Sequence, residues 1–199
     1  MGNPLVARMQ GFGTTIFAEM SALALSTGAI NLGQGFPDTD GPQAMLDAAI
    51  EAISSGRNQY PPGAGVPELL EAIAAHQKRF YGLSVDPMGE VLVTAGATEA
   101  IAAVILGLCE PGDEVVMFEP YYDSYAATIA LAGAVRRTSI LRFPDFALDE
   151  ETVRAAFSPR TRMVLLNTPH NPTGKVFSRA ELELICSLAR EHDAWVVTD

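Results

Sequence analysis

Short apolar runs that alternate with segments of helical periodicity most constrain what this chain can fold into. The alternation begins near residue 91 and continues to the last residue. Each apolar run is of strand length, and the segments between them repeat their apolar residues at helical spacing. Strands that alternate with helices form mainly parallel sheets with helices on both faces, so we predict an α/β fold. The predicted strands are 91–94, 114–118, 135–140, 163–166 and 195–198, and the predicted helices between them are 98–108, 124–131, 150–157 and 178–190.

The part of the chain before this alternation has helical patterns joined by turn-rich loops. Helices are predicted at 12–25, 43–55 and 67–80, and the loop 31–42 is rich in Gly, Pro and Asp. The spacing Ser178-x-x-Glu181 fits a capping box at the start of the last helix. The five predicted strands indicate part of a larger sheet.

Composition excludes several classes of protein. With 48% hydrophobic residues, the 199-residue chain can bury a real core in one domain or two small ones. A net charge of -11 argues against a nucleic-acid footprint, which needs clustered Lys and Arg. Cys109 and Cys186 lie far apart in helical patterns, which favours free thiols in a reducing compartment. No membrane-length apolar run and no secretory leader are visible, so we expect a cytoplasmic protein.

Glycine-rich segments suggest a turn or an anion site, but not a dinucleotide fold. Three Gly-x-Gly pairs lack the third glycine of the dinucleotide fingerprint, and none of them follows a strand and opens a helix. These pairs begin at Gly11, Gly33 and Gly63. Gly96-Ala97-Thr98 instead lies between a predicted strand and a helix, where backbone N–H groups favour an anion. The alternative is an ordinary turn with a threonine cap.

Polar and aromatic segments follow three of the predicted strands. Glu119–Tyr125 follows the strand predicted at 114–118, and Asn167–Lys175 follows the strand predicted at 163–166. Asp199 follows the strand predicted at 195–198. The carboxyl ends of parallel strands meet at one edge of a sheet, and ligands of α/β proteins bind there. We therefore expect a ligand site at this edge.

Four segments and the last residue resemble class I and II aminotransferases, which are fold-type I enzymes that use pyridoxal 5'-phosphate. The segments are Asn31–Asp38 (NLGQGFPD), Gly96–Ile101 (GATEAI), Glu119–Tyr125 (EPYYDSY) and Asn167–Lys175 (NTPHNPTGK). They are most similar to the succinyldiaminopimelate, kynurenine and methionine aminotransferase group. The resemblance extends from about Phe17 to Asp199. It implies that residues 1–42 form an N-terminal arm and part of a small domain, and that 43–199 form the N-terminal part of the cofactor-binding large domain.

The resemblance implies which residues contact the cofactor. In the family, the residues that match Ala97 and Thr98 hold the phosphate, and the aromatic residue that matches Tyr122 stacks on the pyridine ring. The residue that matches Asn171 donates a hydrogen bond to the phenolic oxygen, and the one that matches Asp199 pairs with the pyridine nitrogen. A carboxylate at that nitrogen keeps it protonated and strengthens the cofactor as an electron sink.

The resemblance also implies substrate contacts and a partner subunit. The tyrosine that matches Tyr60 reaches the phosphate of the neighbouring subunit, which implies a homodimer. The glycine that matches Gly35 lets the substrate carboxylate approach the backbone, where a side chain would occupy the substrate's space. Asn171 also faces the substrate, and Phe17 either lines the substrate pocket or packs within its helix.

Several polar and aromatic residues are predicted to have no direct role in the chemistry. His170 lies inside the Asn-Pro segment at a position where the family is tolerant, and Lys175 is not at the position of the Schiff base. Lys78 is predicted to be solvated, and Tyr121 and Tyr125 are predicted to pack. No metal site is expected.

The activity implied by the resemblance is transfer of an amino group from an amino acid to a 2-oxo acid. Within the group, we favour the succinyldiaminopimelate enzyme of lysine biosynthesis. A cysteine-conjugate β-lyase on the same fold and a catalytically inert truncated chain are the alternatives. The family's Schiff-base lysine and its substrate-binding arginine match no residue up to Asp199, so residues 1–199 alone are expected to be inactive.

Overall fold

The computed structural model describes residues 4–35, 37 and 39–199 and divides into two compact units. We call residues 16–94 the helical unit, and residues 4–15 together with 95–199 the sheet unit. Within the segment Asn31–Asp38, Phe36 and Asp38 lie outside the described residues. The division into residues 1–42 and 43–199 stays a prediction. Among the described residues, no helix is both long and apolar enough to cross a membrane.

The helical unit contains the helices α1 (Ile16–Thr27), α2 (Gln43–Ser54) and α3 (Pro67–Tyr81). All three were predicted, but α1 begins at Ile16 rather than at residue 12, because glycines are poor helix formers and Gly11 and Gly13 precede it. Proline at the first position of α3 and a left-handed Gly82 at its end fix the bounds of that helix.

The strand predicted at 91–94 is wrong, because these residues have no regular ladder among the described residues. The segment is extended, and Val93 donates one main-chain hydrogen bond to the Ala64 carbonyl oxygen at 2.9 Å. A strand needs a neighbour that pairs along its length, and a single hydrogen bond does not supply one.

The sheet unit is a four-stranded parallel sheet with helices on both faces. In chain order its elements are α4 (Ala97–Leu108), β1 (Glu114–Glu119), α5 (Asp123–Leu131), β2 (Val135–Ile140), α6 (Glu150–Ala156), β3 (Thr161–Leu166), α7 (Arg179–Glu191) and β4 (Trp195–Thr198). The strand order is β2-β1-β3-β4. These elements confirm the predicted parallel α/β arrangement, and Ser178 and Glu181 form the predicted capping box at α7.

Two apolar cores cover the two faces of the sheet. In β1, Val115 and Met117 pack with residues of α4 and α5, whereas Val116 and Phe118 pack with residues of α6 and α7. Successive side chains of a strand point to opposite faces, so a strand buried on both faces must be apolar at consecutive positions. This is why the central strands β1 and β3 are apolar at consecutive positions in the sequence.

Candidate active site

The carboxyl ends of β1 and β3 lie at a switch point of the sheet. From β1 the chain continues through α5 to β2, and from β2 it returns past β1 to reach β3 on the other side. The segments that follow β1 and β3 therefore leave towards opposite faces, which opens the crevice where ligands bind in such sheets. Tyr122 follows β1, Asn171 follows β3, and Asp199 directly follows the neighbouring β4.

Asp199 is held at this edge through its main chain and its side chain. Its N–H donates to the Leu166 carbonyl oxygen at 2.9 Å, which continues the pairing of β3 with β4. Its own carbonyl oxygen accepts a hydrogen bond from Asn167 Nδ2 at 2.9 Å. Its carboxylate oxygen Oδ2 accepts a hydrogen bond from the hydroxyl of Tyr125. The carboxylate is therefore fixed in direction, although the residue as a whole is exposed.

The sequence predicted a packing role for Tyr125, and in the structure its hydroxyl has a second role. Its side chain is buried in the core between α4, α5 and the sheet, so the packing role is confirmed. Burial, and then the adjacent Asp199 carboxylate, raise the pKa of Tyr125 well above its ordinary value. The phenol therefore stays protonated and stays a donor to Asp199. The rings of Tyr125 and the half-buried Tyr122 pack edge to face, with their centroids 5.7 Å apart.

The Asn-Pro turn joins the same network through Asn167. The Oδ1 atom of Asn167 accepts a hydrogen bond from the main-chain N–H of Asn171, while its Nδ2 binds Asp199. Within the turn, His170 N–H donates to the Lys175 carbonyl oxygen at 2.8 Å, and Gly174 N–H donates to the His170 carbonyl oxygen at 2.7 Å. Gly174 has a positive φ of 73°, which favours glycine at this position. No role was predicted for Asn167; its one signal in the sequence was a polar residue directly after β3.

The first turn of α4 presents the predicted anion site. Gly96 precedes the helix with a φ of 82°, and no side chain of a described residue makes a cap hydrogen bond there. The N–H groups of Ala97 and Thr98 lie in the first turn, where α-helices offer no internal acceptor. Both residues are exposed, while Ile101, one turn further, is buried in the same core as Tyr125. This core holds the start of α4 and the start of α5 in one unit.

Three of the predicted site residues lie in the helical unit instead. Phe17 is half-buried in α1, Gly35 is exposed in the loop after it, and Tyr60 is fully exposed. A Cβ added at Gly35 would meet no described atom within 4 Å, so packing does not require glycine there. The roles of these residues stay predictions.

His170 and Lys175 support the turn rather than face a ligand. His170 is buried, and its Nδ1 lies 2.8 Å from the hydroxyl of Thr173. Burial lowers the pKa of His170, so the ring is neutral at neutral pH. Lys175 donates a hydrogen bond of 2.8 Å to Glu181.

The site groups of the sheet unit have the chemistry to bind a ligand that carries both an anionic group and a protonated ring nitrogen. The Oδ1 atom of Asp199 and the side-chain amide of Asn171 make no hydrogen bond to another described residue. The uncapped turn of α4 favours an anion, and a carboxylate favours a cationic N–H. The contacts Tyr122–Tyr125–Asp199–Asn167–Asn171 join Asp199 and Asn171 across the carboxyl ends of the strands.

Comparisons with known proteins identify relatives of this chain. The family model described as aminotransferase class I and II matches residues 27–199. The "Probable N-succinyldiaminopimelate aminotransferase DapC" of Mycobacterium tuberculosis is 55% identical over 197 residues, which cover 98% of this chain and 49% of the relative. The methionine aminotransferase of Escherichia coli is 45% identical over 199 residues, which cover 99% of this chain and 52% of the relative. The chain thus spans about half the length of the curated relatives that it matches.

Solved structures match the fold as well as the sequence. The N-succinyldiaminopimelate aminotransferase from Mycobacterium tuberculosis superposes with a TM-score of 0.93 at 56% identity, over 98% of this chain and 51% of that structure. A structure from Escherichia coli described as having a methionine aminotransferase function gives a TM-score of 0.91 at 44% identity, over 98% of this chain and 52% of that structure.

Proposed function

Because the chain belongs to the class I and II aminotransferase family, we propose that the whole protein transfers an amino group from an amino acid to a 2-oxo acid. The chain has the fold-type I α/β architecture of that family. Members of the family depend on pyridoxal 5'-phosphate. The observation that carries the proposal is the network of Tyr125, Asp199, Asn167 and Asn171 at the switch point of the sheet.

Each element of the site has a task in this reaction. The bound cofactor supplies an electron sink for the substrate's Cα. The N–H groups of Ala97 and Thr98 bind its phosphate, and Tyr122 stacks on its ring. The Asp199 carboxylate, oriented by Tyr125, holds the proton on the ring nitrogen. The Asn171 amide donates to the phenolic oxygen.

The substrate that we propose is N-succinyldiaminopimelate, with a 2-oxo acid as its partner. The support is the 55% identity to the mycobacterial probable N-succinyldiaminopimelate aminotransferase, against 45% to the methionine enzyme. We also place the protein in the cytoplasm, where its two free thiols, Cys109 and Cys186, would stay reduced.

Purified full-length protein tests this function directly. We expect it to bind pyridoxal 5'-phosphate with absorption in the near-visible region, and to release 2-oxo acid from N-succinyldiaminopimelate only when an amino acceptor is present. A parallel assay with a cysteine conjugate measures pyruvate and ammonia, which a β-lyase would release without an acceptor. A protein that stays colourless with excess cofactor would contradict the proposal, and pyruvate as the main product would favour the β-lyase.

A homodimer is the second part of the proposal, and it rests on Tyr60. The tyrosine ring is fully exposed in the single chain, as a residue that reaches a neighbouring subunit must be before assembly. We propose that its hydroxyl binds the cofactor phosphate of the partner subunit.

Tyr60→Phe is expected to weaken cofactor binding by roughly 10-fold, because it removes one hydrogen bond to a charged group. The measurement is the cofactor dissociation constant of the homodimer. Tyr81→Phe, which alters an exposed tyrosine at the end of α3, is the matched control.

Mixed dimers of Tyr60→Phe with Asp199→Asn subunits test whether Tyr60 serves the partner's site or its own. If Tyr60 acts across the interface, both defects fall on one site and the other site is intact. If each subunit carries its own defect, the mixed dimer has no intact site and the claim is wrong.

A further inference from the structure

The ion pair between Lys175 and Glu181 is unusual in the sheet unit because both of its side chains are shielded. Lys175 Nζ lies 2.8 Å from Glu181 Oε1, with side-chain exposures of 10% and 20%. Among the described residues, the other buried carboxylate that forms ion pairs, Glu114, pairs with arginines that are themselves exposed. Apart from Lys175, the sequence has one lysine, Lys78, which is exposed on α3.

Lys175 belongs to the Asn-Pro turn through its main chain. Its carbonyl oxygen accepts the hydrogen bond from His170 N–H at 2.8 Å, and its N–H donates to Thr173 Oγ1 at 3.2 Å. These bonds close the loop that contains Asn171. Its side chain points away from the turn towards Glu181, and its Nζ lies 5.1 Å from the centre of the Phe177 ring.

Glu181 joins the turn to two other parts of the sheet unit. Its Oε1 also accepts a hydrogen bond from Leu148 N–H at 3.2 Å, and its Oε2 accepts one from Ser178 N–H at 2.7 Å. Burial opposes its ionisation, but the hydrogen bonds from Lys175, Ser178 and Leu148 prevail and lower the pKa of Glu181 to about 2. The carboxylate is therefore charged throughout the neutral range, and the pair stays intact.

A shielded ion pair fixes direction more than it adds stability. Replacing such a pair with apolar side chains of similar volume is often neutral for folding, whereas its geometry is specific. Here the segment with Asn171 is attached at two ends. Asn167 ties the Asn171 N–H to the β3–β4 edge, and Lys175 ties the far end of the turn to the start of α7.

We propose that the Lys175–Glu181 ion pair is a positioning device that sets where the Asn171 side chain lies in the site. The inference rests on the proposed function, because Asn171 acts there as a donor to the cofactor's phenolic oxygen. Neither Lys175 nor Glu181 is a catalytic residue. They act through the turn that carries Asn171.

The test uses the full-length holoenzyme with Lys175→Met, which keeps most of the side chain's length and removes its charge. The absorption spectrum of the bound cofactor and its pH titration report the hydrogen bond to the phenolic oxygen without turnover. We expect the titration midpoint to move in the direction that Asn171→Ala moves it, and kcat to fall roughly 10-fold with little change in KM. Lys78→Met is the matched control and should leave spectrum and kcat unchanged.

The double variant Lys175→Met/Asn171→Ala decides between positioning and a general loss of structure. If Lys175 acts through Asn171, the double variant will resemble Asn171→Ala alone, whereas independent effects would add. Additive effects, or a Lys175→Met protein with a lower Tm but an unchanged spectral titration, overturn the inference. Should Lys175→Met fail to fold, Lys175→Met/Glu181→Gln removes both charges together and leaves none unpaired. A wild-type protein that binds no cofactor would instead contradict the proposed function.

Discussion

Asp199→Asn in the full-length protein is expected to lower kcat by about 10²–10³-fold while the protein remains folded. Asparagine has the same shape, and its oxygen can still accept the hydrogen bond from Tyr125. The substitution removes the charge that we propose holds a proton on the ring nitrogen of the cofactor, and with it the stabilisation that the cofactor would give to the reacting carbon. Steady-state rates at saturating cofactor, with Tm measured alongside, check the result.

Two further variants define how specific this effect is. Asp47→Asn is the matched control, because Asp47 lies exposed on α2 and contacts only Gln43 among the hydrogen bonds of its side chain to described residues. It should leave kcat unchanged. Tyr125→Phe keeps the packing and removes only the donor to Asp199, so its effect should lie between those of the other two. Full activity in Asp199→Asn would remove Asp199 from the site.

The central strands β1 and β3 of the sheet unit could be predicted because both are buried on both faces. Met163 and Leu165 of β3 pack on one side, and Val164 and Leu166 pack on the other, so the run is apolar at every position. Such a run can be recognised as a strand from the sequence alone, without knowing which strands lie beside it. The segment 91–94 has a similar composition but lacks a paired neighbour among the described residues, and composition alone does not reveal that.

The parts of the site that the sequence missed depend on long-range contacts. Tyr125 and Asp199 are 74 positions apart, and Asn167 and Asp199 are 32 apart. A tyrosine three positions after Tyr122 on a helix reads as packing, and only the fold shows that its hydroxyl meets a carboxylate. Glu181 was identified as a capping residue, which is correct, but its bonds to Lys175 and Leu148 were not visible in the local pattern.

The site residues that motif resemblance predicted divide between the two units. Ala97, Thr98, Tyr122, Asn171 and Asp199 all belong to the sheet unit, where strand order brings the segments of Tyr122, Asn171 and Asp199 to one edge. Phe17, Gly35 and Tyr60 belong to the helical unit, which builds few buried contacts of its own: Leu70 is its one buried apolar side chain among the described residues. Packing within the unit does not explain the roles predicted for these three residues. Variants at these positions, beginning with Tyr60, test those roles directly.

Asn171→Ala should reduce turnover more than it reduces cofactor retention. The side-chain amide makes no hydrogen bond to another described residue, so its removal leaves the turn's own bonds in place. The proposed phosphate contacts at α4 and the proposed ring contact at Tyr122 also remain. One hydrogen bond to a buried oxygen contributes about 1–3 kcal/mol, which corresponds to a fall in kcat of roughly 5- to 150-fold.

Asn167→Ala provides the comparison that separates the amide's chemistry from the integrity of the turn. It removes the bonds to the Asn171 N–H and to the Asp199 carbonyl oxygen together, so Tm and kcat should both fall. Asn171→Ala should instead keep the wild-type Tm, because the exposed side chain supports no packing. Cofactor dissociation, measured by dialysis and absorbance, should change less than kcat in that variant. An equal loss of retention and turnover would show that Asn171 holds the cofactor in place rather than tuning it, and unchanged turnover would exclude the residue from the site.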